Sequence, residues 1–374
     1  MKITNIHCHP VWGGHRNFLF VRVETDSGIT GLGESGLTGR ELAVQGAVAH
    51  FRPLLIGLDP MRTEHIWQTL SRGGFFPHGK ILGSAMAAID IALWDIKGKA
   101  FGVPVYDLLG GRVRDKVVCY PHCGGADLLA SAQAHVDAGW KFLRWGLPIQ
   151  GNKINPTESV RTAIRQFAAI RERFGDEIEL CFDVHTRLDP SDAVYLCNAV
   201  EQYRPFFIED PLRSESPQAF HQFRQRVNVP LAAGEQFSSK WDFRELIDHD
   251  LIDYARIDLC ICAGITEALK IAGWCEGHYI DTAVHNPLGP VSTAACLHFN
   301  LAVSNMAVQE QPRRPEEMMS EIVHSALVWE DGYMLAPDAP GLGVELDLDA
   351  AAASPFRQRE LTTLHREDGS FSNW

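Results

Sequence analysis

A rhythm in the second part of the chain limits its fold more than any other feature. From Val117 onward, an apolar run, a polar loop and an amphipathic helical stretch recur about every 25 residues. The runs end near Trp145, Asp183, Glu209, Glu235, Asp258, His285 and Glu310. Short apolar runs bounded by turn residues read as buried strands of a parallel sheet. A doubly wound open sheet shows the same alternation. The ionisable side chain at nearly every run end separates the two, because strand ends converge on one point in a closed barrel and do so poorly in an open sheet. The expected fold class is α/β, a modified (β/α)8 barrel.

The chain before Val117 reads differently. Lys2 to Cys8, Phe18 to Glu24 and Ile29 to Glu34 pattern as strands, and Thr25-Asp26-Ser27-Gly28 supplies hairpin-turn chemistry. Cys8 to Arg16 reads as a loop. Helical patterning covers Arg40 to Leu55, Met61 to Arg72 and Ser84 to Ala100, the last with Ser84 as a candidate cap. Residues 1–113 are expected to form an α+β capping domain, residues 114–320 the barrel, and residues 321–374 a segment returning to the capping domain. Gly31, Gly33 and Gly36 fit the spacing of a dinucleotide fingerprint, but the strand before them belongs to a hairpin rather than a βαβ unit. Those glycines read as a turn and a close packing contact.

Composition excludes some partners. The formal charge of −13 argues against nucleic acid or an anionic membrane, and any anionic substrate must be drawn in by local positive charge. Nine cysteines without C-x-x-C spacing read as reduced thiols. Neither a signal-peptide pattern nor a run of about 18 apolar residues is present, so a cytoplasmic protein is expected.

Three of the run ends carry the chemistry. Leu180-Cys181-Phe182-Asp183, Phe206-Phe207-Ile208-Glu209 and Leu231-Ala232-Ala233-Gly234-Glu235 place evenly spaced carboxylates at the mouth of the sheet. Three acids there repel one another unless a cation lies between them, and hard oxygen ligands suit Mg²⁺. His185 lies two residues past Asp183 and, on a strand, would share its face. Asp258, one run before His285, could bond one imidazole nitrogen and raise the basicity of the other. Glu310, beside a substrate carboxylate, would have a raised pKa and donate a hydrogen bond while neutral. His7, His9, His15, His78 and His122 read as ordinary surface or core residues, those of the first domain at most lining a pocket.

Over essentially its whole length the chain resembles the mandelate racemase branch of the enolase superfamily, and within it the D-galactonate and D-mannonate dehydratases. Ala92-Leu93-Trp94-Asp95-Ile96-Lys97, Phe207-Ile208-Glu209-Asp210-Pro211, Ala263-Gly264-Ile265-Thr266, His285-Asn286-Pro287-Leu288-Gly289-Pro290 and Gln309-Glu310 carry the resemblance. It implies an α+β capping domain over a modified (β/α)8 barrel, and a homo-oligomer. It also implies Mg²⁺ on Asp183, Glu209 and Glu235, with His285 as the base at the substrate α-carbon, partnered by Asp258. His185 matches the acid for the departing 3-hydroxyl, and Glu310 the group bonded to the enediolate. The product would be a 2-keto-3-deoxy acid formed from a small anionic acid sugar.

Two departures narrow this. The Lys-x-Lys pair of many relatives is replaced by Arg144-Trp145-Gly146, which removes the second base of a racemase. Arg144 is similar to mannonate dehydratase, yet the Tyr which that family places in the next loop is missing from residues 151–159, and Asp258, which it tends to lack, is present. D-Galactonate is therefore the favoured substrate. Trp12, His15 and Arg16 are expected to read the sugar hydroxyls. The alternatives are dehydration of mannonate, gluconate or an aldarate, an epimerase or cycloisomerase, and a retired metal-binding barrel. Product analysis separates the enzymes, and α-proton exchange separates them from the retired barrel.

Overall fold

A computed structural model describes residues 1–373. The first unit is an antiparallel meander of β1 (Ile3–Trp12), β2 (Asn17–Thr25) and β3 (Thr30–Ser35). Helices α1 (Glu41–Leu55), α2 (Thr63–Arg72), α3 (Lys80–Phe101) and the one-turn α4 (Val105–Leu108) follow. Leu19, Val21 and Val23 of β2 share a face and bury against Val44 and Val48 of α1 and Ile89 of α3 in one core. A Cβ at Gly31 or Gly33 would lie 2.0 or 1.8 Å from the carbonyl oxygens of Ala92 and Ala88, so α3 rests directly on the β3 backbone. The glycines serve close packing.

Two local expectations are corrected. β1 continues to Trp12, which pairs with Asn17, so the loop shrinks to Gly13–Arg16 and Trp12 is a strand residue. Pro10 is tolerated there because β1 is an edge strand. α3 begins at Lys80 after an extended Gly79, so Ser84 is buried inside the helix rather than capping it. Nothing between Lys80 and Ser84 breaks the helix, which starts at the glycine.

The barrel strands are β4 (Lys116–Tyr120), β5 (Phe142–Gly146), β6 (Glu179–Asp183), β7 (Phe207–Glu209), β8 (Leu231–Ala233), β9 (Tyr254–Ala255), β10 (Asp281–Thr282) and β11 (Gln309–Glu310). Between them run α5 (Leu128–Asp137), α6 (Pro156–Phe174), α7 (Pro190–Val200), α8 (Ala219–Arg224), α9 (Lys240–Asp248), α10 (Ile265–Gly277) and α11 (Pro290–Ala302). β5 to β10 form one parallel sheet in chain order, and β11 pairs in parallel with β4. Parallel bridges between His122 and Arg144, and between Thr282 and Met306, close the ring. Trp145, Phe167 and Phe182 pack at 4.7 to 5.4 Å between centroids where α6 covers β5 and β6.

Among the described residues, no α-helix directly follows β11 as the eighth of the ring. The chain continues through β12 (Val323–Ser325), β13 (Trp329–Glu330), β14 (Tyr333–Leu335), β15 (Val344–Leu346) and α12 (Leu348–Ala353). Its contacts are divided. β14 runs antiparallel to the first half of β4, whereas Ser354, Pro355 and Arg357 reach Trp12, Val11 and Asn17.

Buried carboxylates join the two units at helix starts. Glu34, near the end of β3, accepts the backbone N–H groups of Gly289 at 2.7 Å and Ser292 at 2.9 Å, at the first turn of α11. Asp90 of α3 accepts from the Thr266 N–H at 2.9 Å and its hydroxyl at 2.6 Å, at the start of α10. Each meets otherwise unpaired amides at the positive end of a helix.

Candidate active site

Asp183 and Glu209 are the last residues of β6 and β7, whereas Glu235 stands two residues beyond β8. Gly234 makes that turn possible: its φ is +127°, and a Cβ would meet the Phe243 ring at 2.3 Å. One oxygen of each carboxylate lies within 4.8 Å of the others. Oε2 of Glu209 is buried without a hydrogen-bond donor, and Oε2 of Glu235 is buried with His285 Nε2 at 3.3 Å. Burial pushes the Glu235 carboxyl well above its ordinary range, and Asp210, Asp183 and Glu209 add to it against the pull of His285. Three carboxylates that converge in this way, with a buried oxygen of Glu209 left without a donor, fit a hard divalent cation.

Asp258 and His285 lie three residues past β9 and β10, on the loops rather than the strands. Asp258 Oδ2 is 2.8 Å from His285 Nδ1, and its other oxygen accepts the Cys260 N–H at 2.7 Å. His285 Nε2 faces Glu235 at 3.3 Å. Burial lowers the His285 pKa, but Glu235, Glu310 and Asp258 outweigh it and lift it to about 9.

His185 reaches the site by a different route from the strand alternation expected of it. The backbone turns into the left-handed region, with φ of 52° at His185 and 57° at Thr186. The ring still returns to the mouth: Nε2 is 2.8 Å from Asp183 Oδ2 and 3.4 Å from Arg144 Nη2. Arg144 itself is buried and paired with Asp183. In the ring order, β6 and β10 are four strands apart among eight, so the two histidines approach from opposite sides.

Glu310 lies between Arg256 and His122. Burial raises its pKa, but Arg256, His285 and His122 prevail and hold it well below the carboxylate range, and its Oε2 accepts the Asn286 N–H at 2.9 Å. Arg256 is fully buried, with Nε 2.5 Å from Glu209 and Nη2 2.5 Å from Glu310. It also donates to the carbonyls of Ala283 and Val284 at 2.7 and 3.0 Å. His122 Nε2 lies 2.5 Å from the other Glu310 oxygen. Burial first and Arg144 second lower its pKa, against Glu310, to about 4.

The sequence reading missed Arg256 and took His122, which bonds Glu310, for an ordinary residue. Arg256 lies between Ala255 and Ile257, two residues before Asp258, and the spacing already applied to strand ends reaches it. His122 follows β4, the one barrel strand whose end was left out of the ring of ionisable groups.

Trp12, His15 and Arg16 line a cavity of about 990 Å³ with Arg313 and Arg357. Arg16 donates to the Pro287 carbonyl, and Arg357 stacks over Trp12 at 5.1 Å. The three clustered acids are not among its walls; His122, which bonds Glu310, is.

Residues 11–110 match the mandelate racemase/muconate lactonizing enzyme N-terminal domain family, and residues 127–351 match the enolase C-terminal domain-like family. The chain belongs to the mandelate racemase branch of the enolase superfamily. It is 39% identical to a D-mannonate dehydratase from a Caulobacter species, over 96% of each chain. It is 37% identical to a D-galactonate dehydratase from Ralstonia nicotianae, over 100% of each. An enolase from Pantoea ananatis, solved with bound D-gluconate and Mg, superposes over 100% of both chains with a TM-score of 0.94 at 31% identity. This superfamily member is an enzyme, and its full-length dehydratase relatives are hydro-lyases. No helix among the described residues is long and apolar enough to cross a membrane.

Proposed function

We propose that this chain is a Mg²⁺-dependent acid-sugar dehydratase acting on a six-carbon aldonate, with D-galactonate the first candidate. The opposed histidines around three converging carboxylates carry this reading. Asp183, Glu209 and Glu235 would hold the ion. When bound, it supplies positive charge against the substrate carboxylate and the enediolate as charge develops.

The remaining steps fall to the chain's own side chains. His285 Nε2 takes the proton from C2, its tautomer fixed by Asp258 at Nδ1. His185 Nε2 gives a proton to the 3-hydroxyl, which leaves as water while the C2–C3 double bond forms. The enol then ketonises to the 2-keto-3-deoxy acid. A base and an acid on opposite sides of the ring imply that proton and hydroxyl depart from opposite faces, an anti elimination. A histidine base with Mg²⁺ is an established pairing in this superfamily. Arg256 and His122 keep Glu310 charged and oriented.

D-Mannonate is the second reading, favoured by Arg144 against Asp183 and His185. We also take residues 1–113 as the capping domain, 114–320 as the barrel and 321–374 as the returning segment. A cytoplasmic homo-oligomer completes the proposal, and nine free cysteines are consistent with a reducing compartment.

The test is purified protein with Mg²⁺ against a panel of acid sugars, with 2-keto-3-deoxy products detected by semicarbazide. One responder, silenced by EDTA and by His285→Asn, supports the proposal and names the substrate. Silence across the panel, with no α-proton exchange in D₂O, removes it.

A further inference from the structure

A second cluster of metal-ligating side chains lies on the outer helical layer. His221 is on α8, Glu245 on α9, and His249 directly follows α9. Glu245 and His249 are four residues apart, so they share one helical face, and α8 brings His221 up to them. His221 Nε2 is 2.7 Å from Glu245 Oε1, and His249 Nε2 is 3.9 Å from the same oxygen. The two imidazole rings stand edge to face with centroids 4.7 Å apart. One ligand atom from each residue falls within 4.8 Å of the other two.

We propose that His221, Glu245 and His249 form a peripheral site for a borderline divalent transition metal of the Zn²⁺ class. Two imidazoles and one carboxylate are a donor set of that chemistry, unlike the all-oxygen cluster in the barrel mouth, which suits Mg²⁺. The ligand atoms already converge, so the site needs no backbone rearrangement. His249 follows the last turn of α9, where the negative end of the helix dipole favours a cation. A simple ion pair needs only one histidine on Glu245, whereas two are brought to the same oxygen, with their exposed sides open to water as further ligands. Because α8 and α9 flank β8 in the chain, an ion here would tie together the two helices around the strand that leads to Glu235.

The inference is independent of the proposed reaction. Equilibrium dialysis of the full-length protein against Zn²⁺, in saturating Mg²⁺ to occupy the barrel mouth, tests it. One Zn²⁺ per chain is expected to be retained in the presence of Mg²⁺. His221→Ala and His249→Ala should each weaken it by at least about tenfold, while Asp183→Asn leaves it in place. Zn²⁺ should also raise the melting temperature of the parent protein and not that of the double variant H221A/H249A. Zn²⁺ binding that survives both histidine substitutions, or that Mg²⁺ displaces fully, would overturn the proposal.

Discussion

The two sides of the barrel mouth hold their histidines in different ways. His285 stands on a braced wall: Asp258 fixes its Nδ1, Arg256 latches Glu209 to Glu310 behind it, and Glu34 fastens the following loop to the capping sheet. His185 stands on a left-handed turn, against Asp183 and Arg144. The braced side suits a group whose basicity and direction must be fixed before substrate arrives. The turned side keeps its imidazole on a carboxylate that also belongs to the three-acid cluster. Regular packing and local backbone strain thus deliver the same residue type to one point, under different control.

Substituting each histidine probes this contrast most strongly. His285→Asn and His185→Asn should each lower turnover by about 10²–10⁴-fold. Only His185→Asn should still exchange the substrate α-proton with D₂O, observed by proton NMR. The reverse pattern would exchange the two roles.

The arginines come next. Arg256→Met leaves Glu209 and Glu310 buried without their cation and should cost about 3–5 kcal/mol in urea unfolding. Arg144→Met should cost less when Mg²⁺ is supplied, since Asp183 then has another cation to face. Equal losses for the two variants in Mg²⁺ would contradict the division into a braced and an open side.

Glu34 gives the smallest effect and tests the brace from the capping domain. Burial raises its carboxyl to about 7, against the Ser292 and Gly289 amides and the Arg16 charge. The folded pKa exceeds an ordinary glutamate value near 4.5, so between these pH values the native state binds more protons than the unfolded state. Stability from this group therefore falls as pH rises from about 4.5 to about 7 and is flat above that, by on the order of 3 kcal/mol in total. Glu34→Gln should remove that slope, so the stability difference between parent and variant changes with pH only inside the window. A pH-independent difference in melting temperature would show that Glu34 does not titrate there.

The legible and the hidden parts of the site differ for a physical reason. Asp183 and Glu209 were readable because an acid ending an apolar run has nowhere to go but the sheet mouth. Glu235, Asp258 and His285 followed from the same rhythm, although the structure sets them two or three residues past their strands. Arg256 was hidden because its partners Glu209 and Glu310 are distant in sequence, and only barrel closure makes them neighbours. His122 needed β4 to be seen as a ring member. The downward shift of the Glu310 carboxyl was out of reach without those two residues. In the capping domain, hairpin chemistry was plain, whereas the true end of β1 depended on register and the start of α3 on Gly79.

The missing eighth helix gives the ring a seam. One edge of β4 belongs to β11, and the other is shared: Tyr333–Leu335 occupy its first half, and β5 reaches it only near the top. There His122 bridges Arg144, and the Cys123 amide donates to the Arg144 carbonyl at 2.7 Å. One of the two stitches that close the cylinder is therefore made by residues whose side chains face Glu310 and Asp183. Whatever orders those side chains also fastens the cylinder, beside the site itself.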